Sequence, residues 1–160
     1  MAVTLQRVTH QNLRELLALR VRDDQTGFVA SNTASILEAY LAVSEGKTAL
    51  PFGIYDDALP VGFLMLGFDT LNWEEEPAVA VGNYCLWRFM IDARYQGKGY
   101  GKAALAEALA YIRTFPCGPA ESCWTSWEPE NIAARALYRS FGFRENGERD
   151  GNEVVGVLKL

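Results

Sequence analysis

Tyr84-Cys85-Leu86-Trp87-Arg88-Phe89-Met90-Ile91, then Asp92-Ala93-Arg94-Tyr95, then Gln96-Gly97-Lys98-Gly99-Tyr100-Gly101, is the stretch around which the rest of the chain arranges itself. The first run is mostly aromatic or branched, too short for a free-standing helix and suited to a strand buried on both faces. After the glycine-rich turn, residues 102–112 place Leu105, Leu109 and Ile112 at helical spacing, which predicts a helix with one apolar face.

A strand, a glycine turn and a helix in that order make an anion site. The turn's N–H groups and the first-turn amides of the helix converge with the positive end of the helix dipole. Glycine at 97, 99 and 101 admits positive φ and lets a phosphate approach without meeting a Cβ. Arg94, Lys98 and Lys102 reverse the local charge in a chain of net charge −5, with Asp92 the only acid nearby. The plain alternative is a tight turn with solvated lysines. A Walker loop is excluded because no Gly-Lys-Ser/Thr follows at its spacing, and a dinucleotide fingerprint fits poorly because these glycines fall at every second residue.

The segment 96–101 reads Gln-x-x-Gly-x-Gly, which resembles the acyl-coenzyme A signature of the GNAT superfamily of N-acyltransferases. A second segment strengthens the resemblance: Asn131, Ala134, Leu137, Tyr138, Gly142 and Phe143 fit the later pattern Asn-x-x-Ala-x-x-Leu-Tyr-x-x-x-Gly-Phe at every position. The resemblance covers the whole chain, and residues 88–101 look most like the bacterial spermine/spermidine acetyltransferase branch.

Length and composition bound the remaining possibilities. At 160 residues, 49% hydrophobic and 22% charged, the chain has the balance of one globular domain over 1–160. It has neither a run of about 20 apolar residues nor a signal-peptide core, so a soluble, cytoplasmic protein is expected, without a membrane partner. Three cysteines, Cys85, Cys117 and Cys123, lack Cys-x-x-Cys spacing, and His10 is the only histidine. This pattern suggests no metal site and leaves a histidine-based hydrolase little to build on. The acidic balance argues against a nucleic-acid partner and favours small cationic ones.

In chain order, residues 3–8 read as a strand. Asn12 reads as the cap of a helix carrying Leu13, Leu16, Leu17 and Arg20, and residues 21–32 as a loop sheltering Phe28 and Val29. A second helix over 33–44 has Ile36, Leu37, Tyr40 and Leu41 on one side and Gly46 as its stop. Residues 49–55 and 61–68 form a hairpin about Asp56-Asp57, and the acidic segment Asn72, Trp73, Glu74, Glu75, Glu76, Pro77 leads to the central strand. That segment is either a solvated loop or the negative rim of a pocket. Residues 122–127 read as a strand, 131–141 as a helix, and 143–149 with 154–158 as a closing hairpin about Asp150-Gly151-Asn152. The fold class is therefore α/β (α+β), a mixed sheet of about six to seven strands flanked by helices. The resemblance implies the same order, with the strands after Tyr84 and Ser122 splaying to admit a pantetheine arm.

The resemblance further implies direct attack of a primary amine on the thioester of acetyl-coenzyme A, with no metal. The amides of Gln96, Gly97, Lys98, Gly99, Tyr100, Gly101 and Lys102 would hold the pyrophosphate. Met90 and Ile91 would pair with pantetheine, an amide at the strand's end would stabilise the oxyanion, and Asn131 would bond the arm or cap its helix. Tyr138 would protonate the departing thiolate, since a phenol of pKa about 10 loses little in giving a proton to a thiolate of pKa about 8.5; otherwise it is a core tyrosine. Deprotonating an alkyl ammonium near pH 7 costs about 4–5 kcal/mol unaided. The polyamine branch often places a carboxylate on the central strand, but here Trp87 stands in that region with no acid, leaving Glu128, Glu130 or Glu74 to Glu76 as candidate bases. Phe28, Val29, Trp73 and Trp87 would line an acceptor pocket, or simply be core. A small amine, polyamines included, is the expected acceptor. A protein N-terminus or lysine is the alternative acceptor, and a non-catalytic acyl-coenzyme A sensor the alternative of another class. A homodimer is the common assembly in the family.

Overall fold

The computed structural model describes residues 1–70 and 76–160; Trp73, Glu74 and Glu75 lie outside the described residues. The elements are β1 (Val3–Arg7), α1 (Leu13–Leu17), α2 (Asn32–Ser44), β2 (Thr48–Asp56), β3 (Leu59–Phe68), β4 (Tyr84–Ile91), α3 (Tyr100–Ile112), β5 (Ser122–Trp127), α4 (Ile132–Ser140), β6 (Arg144–Asp150) and β7 (Glu153–Lys159). Among the described residues, seven strands form one sheet in the order β1-β2-β3-β4-β5-β7-β6. The first four are an antiparallel meander, β5 runs parallel to β4, and β7 and β6 continue antiparallel. The expected mixed sheet flanked by helices is the observed one.

Alternation along the strands sorts side chains to two faces. On one face Leu86, Cys123 and Trp127 pack with Leu105, Leu109 and Ile112 of α3 and Tyr138 of α4. On the other, Phe63, Met65 and Met90 pack with Leu16, Ala39 and Ala42, and farther along Cys85, Trp124 and Val155 form a smaller cluster. The central strand is covered on both faces as its composition predicts.

Two helices differ from expectation. The first is only Leu13–Leu17, and Asn12 does not cap it: its side chain accepts from the Thr9 N–H at 2.8 Å and donates to the Arg7 carbonyl at 3.1 Å, shaping the turn instead. In α2 the buried side is Asn32, Ser35, Ala39 and Ala42, while Leu37 and Tyr40 are 61% and 70% exposed. Small residues let this helix lie close on the sheet, and Asn32 donates to the Leu16 carbonyl at 2.8 Å, so that face wins over the bulkier one.

Candidate active site

Two breaks in the regularity of β4 make the site. Opposite β3 the register shifts between Met65 and Leu66, leaving Trp87 as an extra residue in a bulge that re-aims the side chains after it. Opposite β5 the ladder holds only at Tyr84 with Cys123 and Cys85 with Trp124. The Thr125 hydroxyl donates to the Leu86 carbonyl at 3.1 Å, and beyond that point the strands part. Met90 and Ile91 still pair with Phe63 and Gly62 on the β3 side, so their β5-facing edge opens into the gap.

The turn that follows is tightly anchored. Asp92 is buried and accepts from the N–H of Arg20 at 2.9 Å, from the N–H of Arg94 at 3.0 Å and from the Arg94 guanidinium at 2.8 Å. Burial alone would raise its carboxyl, but the Arg94 guanidinium and the two amides outweigh that and hold it below the usual range. Arg94 is therefore committed to Asp92 and is not the free anion-binding cation the sequence suggests. Gln96 donates its side-chain amide to the Ile91 carbonyl at 2.9 Å and pairs with Gln25 at 2.8 and 3.2 Å, tying the turn to the loop before α2.

Gly97 and Gly99 have φ of 73° and 89°, and Gly99 occupies the N-cap position just before α3. A Cβ on Gly97 would meet nothing within 4 Å, and one on Gly99 only the Met1 methyl at 3.6 Å, so both glycines face open space. Among the described residues, the N–H groups from Gly97 to Lys102 have no acceptor in the protein. These unsatisfied donors around an open cradle at a helix N-terminus suit a pyrophosphate. Lys98, 5.6 Å from the centre of the Tyr95 ring, and the exposed Lys102 flank it.

Between the parted strands lies a cleft of about 620 Å³. Of the residues singled out in the sequence, Met90, Ile91, Gln96, Gly97, Tyr100, Gly101, Asn131, Tyr138, Phe28, Trp87 and Glu128 line it, while Lys98, Gly99 and Lys102 do not. Glu76 and Glu130 are also absent from its lining, and Glu76 instead acts electrostatically on the buried Cys85. Asn131 caps α4, accepting from the Ala134 N–H at 3.2 Å. Tyr138 stands between the rings of Trp127 and Phe143, each centred 5.6 Å away. Burial pushes its phenol well up, partly offset by a hydrogen bond with Thr125, so it stays protonated through the neutral range.

The cleft also holds a group that the sequence reading missed. Glu153, the first residue of β7, lines the cleft on the sheet face opposite Tyr138, and its Oε1 lies 3.2 Å from the Ser126 hydroxyl. Burial raises its carboxyl, the Ser126 hydrogen bond opposes this, and repulsion from Asp150 and Glu128 adds to it. The one signal in sequence was an acid opening the run Glu153, Val155, Val157, whose alternate positions face inward. Arg88, bonded to Glu38 of α2 at 2.8 Å, also borders the cleft. Among the described residues, no group of three or more His, Cys, Asp or Glu is placed to hold a metal ion.

A cradle of free amides, an opened strand edge and a buried phenol in one cleft are the parts an acyl-coenzyme A enzyme needs, and residues 10–143 match the model of the Acetyltransferase (GNAT) family. The chain belongs to that family. As a GNAT acetyltransferase it takes an acetyl group from acetyl-coenzyme A and transfers it to an amine. Over 162 aligned residues it is 33% identical to the spermine/spermidine N(1)-acetyltransferase of Bacillus subtilis (strain 168), and equally to the probable spermine N(1)-acetyltransferase of Bacillus subtilis subsp. natto (strain BEST195), with all of both chains covered in each case. Among solved structures, its fold resembles an aminoglycoside acetyltransferase in complex with coenzyme A (TM-score 0.76, 21% identity, 99% of this chain and 95% of that one). It also resembles the PaiA N-acetyltransferase of Thermoplasma acidophilum in complex with coenzyme A (TM-score 0.68, 17% identity, all of both chains).

Proposed function

We propose that this GNAT acetyltransferase acts on a small cationic amine of the polyamine class, with residues 1–160 as one catalytic domain working in the cytoplasm. The observation that carries this reading is the make-up of the cleft opposite Tyr138, where Glu128 and Glu153 stand with the rings of Phe28 and Trp87. Two carboxylates attract the ammonium groups of an extended amine, and ring faces favour cations. The names of the relatives in Bacillus subtilis agree with that chemistry.

In the proposed reaction the chain's own groups have four tasks. The Gly97 to Lys102 amides hold the pyrophosphate of acetyl-coenzyme A, and the open edge of Met90 and Ile91 pairs with its pantetheine arm, which supplies the activated acetyl group. Asn131 caps α4 and borders the same arm. The amine reaches the thioester through the gap from the Glu153 side. Tyr138, held protonated on the other side, gives its proton to the sulfur as the C–S bond breaks.

An acceptor screen followed by thiol release tests the reading: spermidine and spermine should give higher kcat/KM than simple monoamines, and the advantage should shrink as salt rises. Peptide N-termini outcompeting every small amine would replace it with protein acetylation. Coenzyme A binding without turnover of any amine would replace it with an acyl-coenzyme A sensor.

A further inference from the structure

Ser126 stands between two carboxylates. Its hydroxyl oxygen lies 3.2 Å from Asp150 Oδ2 and 3.2 Å from Glu153 Oε1. A serine hydroxyl has one proton to donate and two lone pairs, so it satisfies only one carboxylate as donor. The second contact becomes a hydrogen bond when the carboxyl on that side brings a proton of its own. Three strands set this up: Ser126 is near the end of β5, Asp150 ends β6, Glu153 begins β7, and Asp150 and Glu153 are register partners across the turn. Of the two acids only Glu153 lines the cleft.

We infer that Glu153 is the base that takes the proton from the acceptor ammonium, and that Ser126 and Asp150 form the path by which this proton leaves the cleft. The inference rests on the acetyltransferase reading and deepens it; it does not depend on the acceptor being a polyamine. The Glu153 carboxylate accepts one proton from R–NH3⁺, leaving a neutral amine. The nitrogen lone pair then forms the C–N bond at the thioester carbonyl carbon, the C–S bond breaks, and sulfur receives the Tyr138 proton. The second proton leaving nitrogen restores the Tyr138 phenol. Protonated Glu153 donates to Ser126 Oγ while the Ser126 hydroxyl donates to Asp150, and the net proton passes by that route to solvent. Glu153 ends as a carboxylate, and the amine has become an amide with one thiol and one proton released.

The groups that set the readiness of Glu153 come from every strand around it. Asp150 and Glu128 repel its charge, Arg88 of β4 attracts it, and Ser126 bonds it. Tyr138 of α4 feels the Glu153 charge across the gap. Burial first, and then the two acids, lift the carboxyl above its ordinary range, which moves it toward the operating pH of a base. Arg88 is partly neutralised by Glu38, and this limits its pull in the other direction.

The test is the pH profile of kcat/KM, measured by thiol release with spermidine and, in parallel, with a simple monoamine. Glu153→Gln should lose about 100-fold near pH 7 and lose the acid limb that Glu153 sets; its rate should instead rise with the neutral fraction of the amine, so the deficit closes as pH approaches the amine's own pKa of about 10. Glu153→Asp should recover part of the rate and restore an acid limb. Ser126→Ala removes the bond that holds the Glu153 carboxyl down, so its acid limb should move to higher pH. Coenzyme A affinity should remain at the wild-type level in all three. A Glu153→Gln profile like the wild type, or a deficit that is the same at every pH, overturns the base. An unmoved acid limb in Ser126→Ala overturns the path. If spermidine is a poor acceptor but the monoamine shows the same Glu153-dependent profile, the polyamine reading fails and this inference stands.

Discussion

The carboxylate of Asp92 accepts a hydrogen bond from the backbone N–H of Arg20 at 2.9 Å, joining the end of the central strand to the chain leaving α1. The same carboxylate holds the N–H and guanidinium of Arg94, so one buried side chain fixes both the entry to the glycine turn and the start of the loop that walls the cleft. Asp92→Ala should leave these donors unmatched and cost about 2–3 kcal/mol in urea denaturation. The pH dependence has a definite sign. Because the folded carboxyl lies below 3.8, its contribution is present above that value and is lost as pH falls through the folded pKa. Asp92→Asn should remove this part of the acid sensitivity.

Gly99→Ala tests the cradle. At φ of 89° any side chain strains the backbone, so stability should fall by about 1 kcal/mol, and the added methyl should weaken coenzyme A binding by at least about tenfold in calorimetry. Gly46→Ala provides the control, with a similar φ of 78° at the end of α2 and no neighbour within 4 Å of its Cβ. It should show the strain without the loss of affinity.

Tyr138→Phe keeps the ring between Trp127 and Phe143 and removes only the hydroxyl. A fall in kcat of about 100-fold with coenzyme A affinity nearly intact is the expected outcome in steady-state kinetics. A wild-type kcat would return Tyr138 to a packing role.

On α2 the expectation from sequence and the observed packing predict opposite outcomes. Leu37→Ser and Tyr40→Ser should each change stability by less than about 0.5 kcal/mol, because both side chains lie mostly in solvent. Ala42→Leu, at 1% exposure, should overpack the sheet and cost about 1–3 kcal/mol. Thermal denaturation of the three variants distinguishes the two faces.

What the sequence revealed and what it hid have different physical origins. The bounds of β4 and β5 follow from local runs of large side chains, and the cradle from glycines adjacent in the chain. The face of α2 was misjudged because hydrophobicity ranked Leu37 and Tyr40 above Ala39 and Ala42, whereas close approach to the sheet favoured the smaller side chains. The commitment of Arg94 to Asp92 turns on side-chain geometry that spacing does not display. Glu153 escaped notice because its meeting with Ser126 and Asp150 depends on the register of three strands, one of them bulged, which no local pattern encodes.

The ladder joining β4 to β5 is two residues long, so the sheet is two half-sheets hinged at Tyr84 and Cys85, with β1 to β3 on one side and β6 and β7 on the other. A cosubstrate arm lying along the open edge of Met90 and Ile91 would do for this protein what a missing strand does for an incomplete sheet. Occupancy then becomes a structural cross-brace between the halves. By mass action, a ligand at 100 times its Kd adds about 2.7 kcal/mol to the folded state. The ligand-free enzyme is accordingly the form in which the seam between the halves should exchange its amide hydrogens first.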